Sequence, residues 1–161
     1  MHAAPHPFPD IPTITAEDLP KFDGLLFGIP TRFGTPVAQV KALFDSTGGL
    51  WATGGLVGKH AGLFFGTGTQ GAGQETTALT ALPFLVHHGM VFVPIGYSSP
   101  LLQNMEEVHG GSPWGAGYLA GGDGMRAVSA LEKSVGEHQG KYFTNVVKTH
   151  LAGKAALENG K

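Results

Sequence analysis

Three short apolar runs most constrain the fold. "DGLLFGIP" begins at Asp23, "AGLFFGTG" at Ala61 and "MVFVPIGY" at Met90. Each is almost uninterrupted and runs into glycine or proline, the pattern of strands buried on both faces. Helical spacing fills the gaps between them. In "TPVAQVKALFDSTGG", Thr35 suits a cap and Pro36 the first helical position, Val37, Val40 and Phe44 share a face, and Gly48 ends the helix. A second helix is predicted from Glu75 to His88, with Leu79, Leu82 and Val86 as its apolar stripe, Pro83 as a kink and Gly89 as terminator. Strands alternating with helices imply an α/β fold: an open parallel sheet, right-handed crossovers, and a ligand crevice at the carboxyl ends of the strands.

The flanking segments are read in the same way. Residues 1–20 hold five prolines and no periodicity, so they form an extended arm, and residues 21–161 form one domain. Gly96 to Gly124, rich in glycine and proline, is a loop long enough to be functional. Ser129 and Glu132 make a capping-box pattern that opens a last helix, with Leu131, Val135, Tyr142 and Val146 on its apolar side.

Charge narrows the partners. Ten basic residues face 12 acidic ones, for a net charge of −2, and the lysines are dispersed, so nucleic acid is not expected. No apolar run reaches the roughly 18 residues that span a bilayer, and the first residues lack a signal-peptide pattern. With no cysteine there is no disulfide or thiolate, which suits a reducing, cytoplasmic compartment.

The loops after the strands carry the candidate chemistry. Gly66, Gly68 and Gly71 match G-x-G-x-x-G between a strand and a helix. No acidic residue lies between Glu75 and Glu106 to bind a ribose, and no lysine follows the glycines, so neither a dinucleotide fingerprint nor a Walker loop fits well. Either the segment is a tight turn needing glycine, or its amides and the Thr67 and Thr69 hydroxyls meet a flat polar ring edge. In "GIPTRFGTP", Arg32 and Phe33 sit between two prolines. They either present a guanidinium and a ring to a flat ligand, or are a solvated charge and a core plug. Trp51, between glycine pairs, either covers a ligand or anchors a loop. Of His87 and His88, one either faces the crevice or caps its helix. No metal-ligand spacing, carboxylate pair or nucleophile elbow occurs.

Taken together, "PTRFG", "TGGLWATGGLVGK", "GTGTQGAGQETT", "HHGMVFVPIGY" and "HGGSPWGAGYLAGGDG" resemble the WrbA family of flavodoxin-like NAD(P)H:quinone oxidoreductases, notably its fungal members. The resemblance runs from about Phe22 to Phe143. It implies a flavodoxin-like open parallel sheet with helices on both faces, non-covalently bound FMN, NADH or NADPH as electron donor, two-electron reduction of quinones, and a homo-oligomer, dimer or tetramer. Thr31, Arg32 and Phe33 match the loop along the flavin ring. Gly66, Thr67, Gly68, Thr69, Gln70 and Gly71 match the loop at its polar edge, with Gly66 where serine is usual. His87 matches a histidine near the flavin, and Trp51 the tryptophan lining the quinone and nicotinamide pocket. Trp114 stands where tyrosine is common. The family's opening strand and Ser/Thr-rich phosphate loop have no match, so the expectation is a chain lacking the first two strands and first helix, with weakened FMN affinity. The alternative is a shortened, non-catalytic paralogue acting as a partner-binding or regulatory subunit.

Overall fold

The computed structural model describes residues 10–160. A five-stranded sheet is its centre. β1 (Gly24–Arg32), β3 (His60–Thr67), β4 (Val91–Phe92) and β5 (Gly117–Leu119) run parallel, and β2 (Thr35–Pro36) turns back antiparallel on the end of β1. The helices are α1 (Ala38–Asp45), α2 (Gly48–Thr53), α3 (Gln74–His87) and α4 (Ala130–Asn159). Sheet order β2-β1-β3-β4, with β5 also on β3, meets the expectation of an open α/β sheet with β2 as its one antiparallel strand.

β3 is the axis of the packing. Ala61, Leu63 and Phe65 point to one face, where they join Ile29, Leu19, Leu56, Ala78, Ala81 and Leu85 in the main core. Fully burying a side chain of this size contributes about 1.5–3 kcal/mol. Val40 and Phe44 of α1, Leu50 of α2 and Phe84 of α3 pack around that cluster, with the Phe44 and Phe84 rings stacked at 3.8 Å. On the other face, α4 lays Phe143 and Val147 over Gly24 and Phe143 over Gly62, where a Cβ at Gly24 would lie 2.8 Å from Val147. Gln139 staples α4 to the sheet: its amide donates to the Leu63 carbonyl, and its oxygen accepts from the Ala116 amide, both at 2.8 Å.

Several expectations are corrected. β3 is buried along both faces except at Phe64, but β1 is not: α4 leaves Leu26 39% and Phe64 44% exposed, and the outer edge of β1 between Gly24 and Pro30 has no strand beside it among the described residues. Thr35 and Pro36 belong to β2 rather than to a helix cap. α1 ends at Asp45, because the Ser46 and Thr47 hydroxyls turn back onto the Leu43 and Phe44 carbonyls, and Gly48 begins α2 instead of stopping α1. The stop comes at Gly54, whose φ of 68° suits glycine. Along α3 the buried stripe is Gln74, Thr77, Ala78, Ala81 and Leu85, whereas Leu79 and Val86 face outward. The helix runs through Pro83 and ends, as expected, before Gly89. The third apolar run yields only Val91–Phe92 as strand, since Pro94 has no amide to donate and Gly96 turns at φ 57°. β5, inside the expected loop, takes over the same edge of β3 further along.

The capping box at Ser129 and Glu132 forms as expected, and α4 buries Val135, Phe143 and Val147, leaving Tyr142 partly exposed. At the other end, Ala16–Lys21 is a 3-10 helix that buries Leu19, so the chain is not extended there. The expected arm's first nine residues lie outside the described residues. Among the described residues, no helix is long and apolar enough to cross a membrane.

Candidate functional site

Three segments meet at the carboxyl ends of β1 and β3. The β1–β2 turn touches the loop after β3 at two glycines: a Cβ on Gly73 would lie 2.9 Å from the Gly34 Cα, and both take left-handed φ, 92° and 78°. Thr77 Oγ1, from the first turn of α3, lies 2.7 Å from Thr31 Oγ1, which in turn accepts from the Gly34 amide. The third segment, residues 108–121, docks along the other side, with the Ala120 amide donating to the Thr67 carbonyl at 2.7 Å and the Gly121 amide to the Gly68 carbonyl at 2.9 Å. Between the last two lies a cleft of about 360 Å³, bordered by Gln70, Gly71, Glu75, His109 and Ser112.

The loop after β3 has a polarity. Its Thr67, Gly68 and Thr69 carbonyls are all taken, the last by the Ala72 amide and the Thr67 hydroxyl. Among the described residues, no protein acceptor receives the amides of Gly68, Thr69, Gln70 or Gly71. The carbonyls of Thr67, Gly68 and Thr69 are taken while the four amides from Gly68 to Gly71 are left over, so the loop offers donors to a ligand that carries acceptors. The N-terminus of α3 adds its partial positive charge at the same place. That donor set is neutral: loops 31–34 and 66–73 together carry one cation, Arg32.

The expected site residues divide into two groups. Thr31, Arg32 and Phe33 lie on the β1–β2 turn, against the loop that carries Gly66, Thr67, Gly68, Thr69, Gln70 and Gly71. Phe33 is no core plug: it is 97% exposed, with a left-handed φ of 54° that few non-glycine residues adopt. Gly66 leaves room for the Tyr118 ring, which a Cβ would approach to 2.4 Å. Trp51 and His87 lie apart from these loops. They line a separate cavity of about 470 Å³ among α1, α2 and α3, together with Phe44, Phe84 and His88. Trp51 is 60% exposed, so it does not anchor its loop in the core. His88, not His87, is the buried member of the pair. Thr47 gives its one hydroxyl hydrogen to the Phe44 carbonyl, so His88 Nε2 donates to Thr47 Oγ1 at 2.8 Å and Nδ1 is left as a buried acceptor without a partner among the described residues. Burial, and then the charge of His87, holds the His88 pKa below the ordinary imidazole value.

Buried polar residues support the site: Gln74 and Thr77, not singled out from the sequence, and Glu132, expected only as a helix cap. Gln74 and Thr77 occupy the buried face of α3 and tie the loops together. Glu132 is buried on α4 and accepts from the Gly110, Leu119 and Ser129 amides and from Arg126 at 2.8 Å. Burial pushes its carboxyl up, but the Ser129 amide, Arg126 and the other two amides outweigh that and hold it below its ordinary range. Arg126 also donates to the Leu119 and Val108 carbonyls, so one ion pair pins both ends of the third segment. A signal for Gln74 and Thr77 was present: they fall at helical spacing with Ala78, Ala81 and Leu85, a stripe of small and polar residues beside the more apolar Leu79, Leu82 and Val86.

The family model for NADPH-dependent FMN reductase matches residues 3–100. A quinone oxidoreductase of Triphysaria versicolor is 57% identical over 143 residues, 88% of this chain and 70% of the relative. An NAD(P)H quinone oxidoreductase of Candida albicans is 54% identical over 147 residues, 91% of this chain and 73% of the relative. The crystal structure of a flavodoxin, WrbA-like protein from Agrobacterium tumefaciens superposes with a TM-score of 0.62 at 21% identity, covering 83% of this chain and 71% of that one. This likeness is one of fold: a flavodoxin-like α/β sheet.

Proposed function

The chain belongs to the NADPH-dependent FMN reductase family, and on that premise we propose that it is an FMN-dependent NAD(P)H:quinone oxidoreductase whose flavin ring lies against the amide edge of Gly68–Gly71. Bound there, FMN supplies two-electron transfer from NADH or NADPH to a quinone. The residues of this chain bind and orient. The free amides of the loop after β3 donate to the ring's carbonyl edge. Thr31, held by Thr77 and Gly34, fixes the turn that carries Arg32 and Phe33 alongside the ring. Gly66 gives the Tyr118 ring room to pack beside the loop. The observation that supports the reading is the loop's polarity: the Thr67, Gly68 and Thr69 carbonyls are satisfied, and among the described residues four successive amides, Gly68 to Gly71, have no acceptor.

Trp51 is proposed to line the quinone and nicotinamide pocket, and His87 to lie near the flavin. Their cavity shares no lining residue with the cleft beside the loop, so the proposed assembly is a homo-oligomer that sets this cavity of one copy against the loops of another. A cytoplasmic location is proposed on the lack of cysteine.

The test is turnover. The purified chain with added FMN, NADH or NADPH, and a benzoquinone is expected to oxidise the nicotinamide only when quinone is present, forming one hydroquinone per nicotinamide consumed. Nicotinamide oxidation that is absent with saturating FMN, under either donor, contradicts the proposal.

A further inference from the structure

The Gln74 side chain is 7% exposed and sits at the head of α3, where the loop after β3 meets the third segment. Its amide nitrogen donates to Thr67 Oγ1 at 3.1 Å and to the Tyr118 carbonyl at 3.0 Å, and its oxygen accepts from the Gly111 amide at 2.8 Å. The orientation of the amide is fixed by its neighbours. A flipped amide would put oxygen against the Tyr118 carbonyl and NH2 against the Gly111 N–H, which loses both bonds. Both amide hydrogens are therefore spent within the protein.

A direction follows along the chain of bonds. Because Thr67 Oγ1 accepts from Gln74, its own hydrogen is free to be given away, and it goes to the Thr69 carbonyl at 3.0 Å. That donation helps to hold the Thr69 carbonyl inward and so leaves the following amides pointing away from the protein. The surroundings are built to this fit: a Cβ at Gly110 or Gly117 would lie 2.8 Å or 2.4 Å from the Gln74 amide group, so the third segment passes over it with no room to spare.

We propose that Gln74 is a positioning residue for the flavin: through Thr67 it fixes the polarity of the Gly68–Gly71 loop and thereby sets affinity for the ring without itself bonding to it. The inference rests on the flavin-site reading, and its test separates the two. Dissociation constants for FMN and riboflavin, followed by fluorescence quenching, are measured for the wild type, Gln74→Leu, Thr67→Val, Thr67→Ser and the double variant Gln74→Leu/Thr67→Val. Each of Gln74→Leu and Thr67→Val is expected to weaken flavin binding by about tenfold or more, as loss of one relay demands. The double variant is expected to be no weaker than the worse single one, because both break the same chain of bonds. Thr67→Ser, which keeps the hydroxyl, is expected to recover the affinity that Thr67→Val loses.

The second readout needs no flavin. In the apo protein, hydrogen exchange at residues 67–73 is expected to speed up in Gln74→Leu and Thr67→Val, while exchange in the β1–β3 ladder stays unchanged. Additive losses in the double variant, or a Thr67→Val protein that binds as Thr67→Ser does, overturn the inference. If Gln74→Leu does not fold, the Thr67→Val and Thr67→Ser pair decides. If the wild type binds neither flavin, the flavin-site reading fails on its own, and apo exchange still decides whether Gln74 fixes the loop.

Discussion

Replacing Glu132 by glutamine removes one charge and almost no volume, and it strikes the ion pair that pins the third segment of the site. The carboxylate oxygens accept from the Gly110 amide at 3.0 Å, the Leu119 amide at 3.1 Å, the Ser129 amide at 2.8 Å and Arg126 at 2.8 Å. A glutamine keeps one oxygen. Whichever way its amide turns, the NH2 faces donors, so either Ser129 and Arg126 or the Gly110 and Leu119 amides lose their acceptor. The Glu132 side chain is fully buried and that of Arg126 is 28% exposed, so this is the breaking of a buried pair, costing about 3–5 kcal/mol. At about 2–4 °C per kcal/mol for a domain of this size, the melting temperature should fall by roughly 6–20 °C.

Acid should close that gap. Glu132 titrates below its ordinary 4.5 in the folded protein, so its contribution is complete above the unfolded value and is lost as pH falls through the folded one. Calorimetry of wild type and Glu132→Gln is expected to show the full difference at pH 7 and a narrowing difference only below about pH 4.5. A drop of less than about 2 °C at pH 7, or a difference that persists undiminished in acid, refutes the reasoning.

Three further outcomes are expected. Trp51→Ala should lower quinone turnover about tenfold or more while shifting folding stability by less than about 1 kcal/mol, because the ring is 60% exposed; equal losses in denaturation and turnover assays would return Trp51 to an anchoring role. Burial holds His88 and His60 below the imidazole value of 6.5, aided by His87 and His150 respectively, so the unfolded chain takes up protons first as pH falls. Urea midpoints should therefore decline from about pH 6.5 downward and His88→Gln should flatten that decline, whereas a level wild-type profile from pH 7 to 5 speaks against buried neutral imidazoles. The uncovered edge of β1, with Leu26 and Phe64 exposed beside it, should draw copies together, and light scattering that gives a stable monomer at micromolar concentration would count against this.

The fold was legible where local signals were strong. The runs at Asp23 and Ala61 became β1 and β3, the capping box at Ser129 opened α4, and Gly89 closed α3, because apolar periodicity and cap chemistry act within a few residues. Misreadings came where a distant partner decides. Leu79 and Val86 look like a core stripe, yet α3 turns Thr77, Ala78 and Ala81 to a sheet that accepts small side chains, and Gln74 is buried because Thr67, Gly111 and Tyr118 satisfy it. β5 was invisible for the same reason: a Cβ at Gly115 would collide with the Leu63 carbonyl and one at Gly117 with Gln74, so glycine there marks close packing on β3 rather than a free loop. The candidate residues of the two loops were legible as a set from their motifs. That Trp51 and His87 line a different cavity was not, since sequence order places them no farther from the loops than Thr31.

The amide edge of Gly68–Gly71 as a seat for the flavin ring is tested most directly by titrating the purified chain with FMN and with riboflavin, following quenching of flavin fluorescence. Both share the ring that these amides would hold, and loops 31–34 and 66–73 add only Arg32 for a phosphate. Saturable quenching by both is expected, with dissociation constants within about tenfold of each other. If neither flavin is quenched at concentrations where the wild-type fold is intact, the amide edge is not a flavin site. FMN bound tightly with riboflavin far weaker contradicts ring-only recognition and puts the decisive contacts on the phosphate.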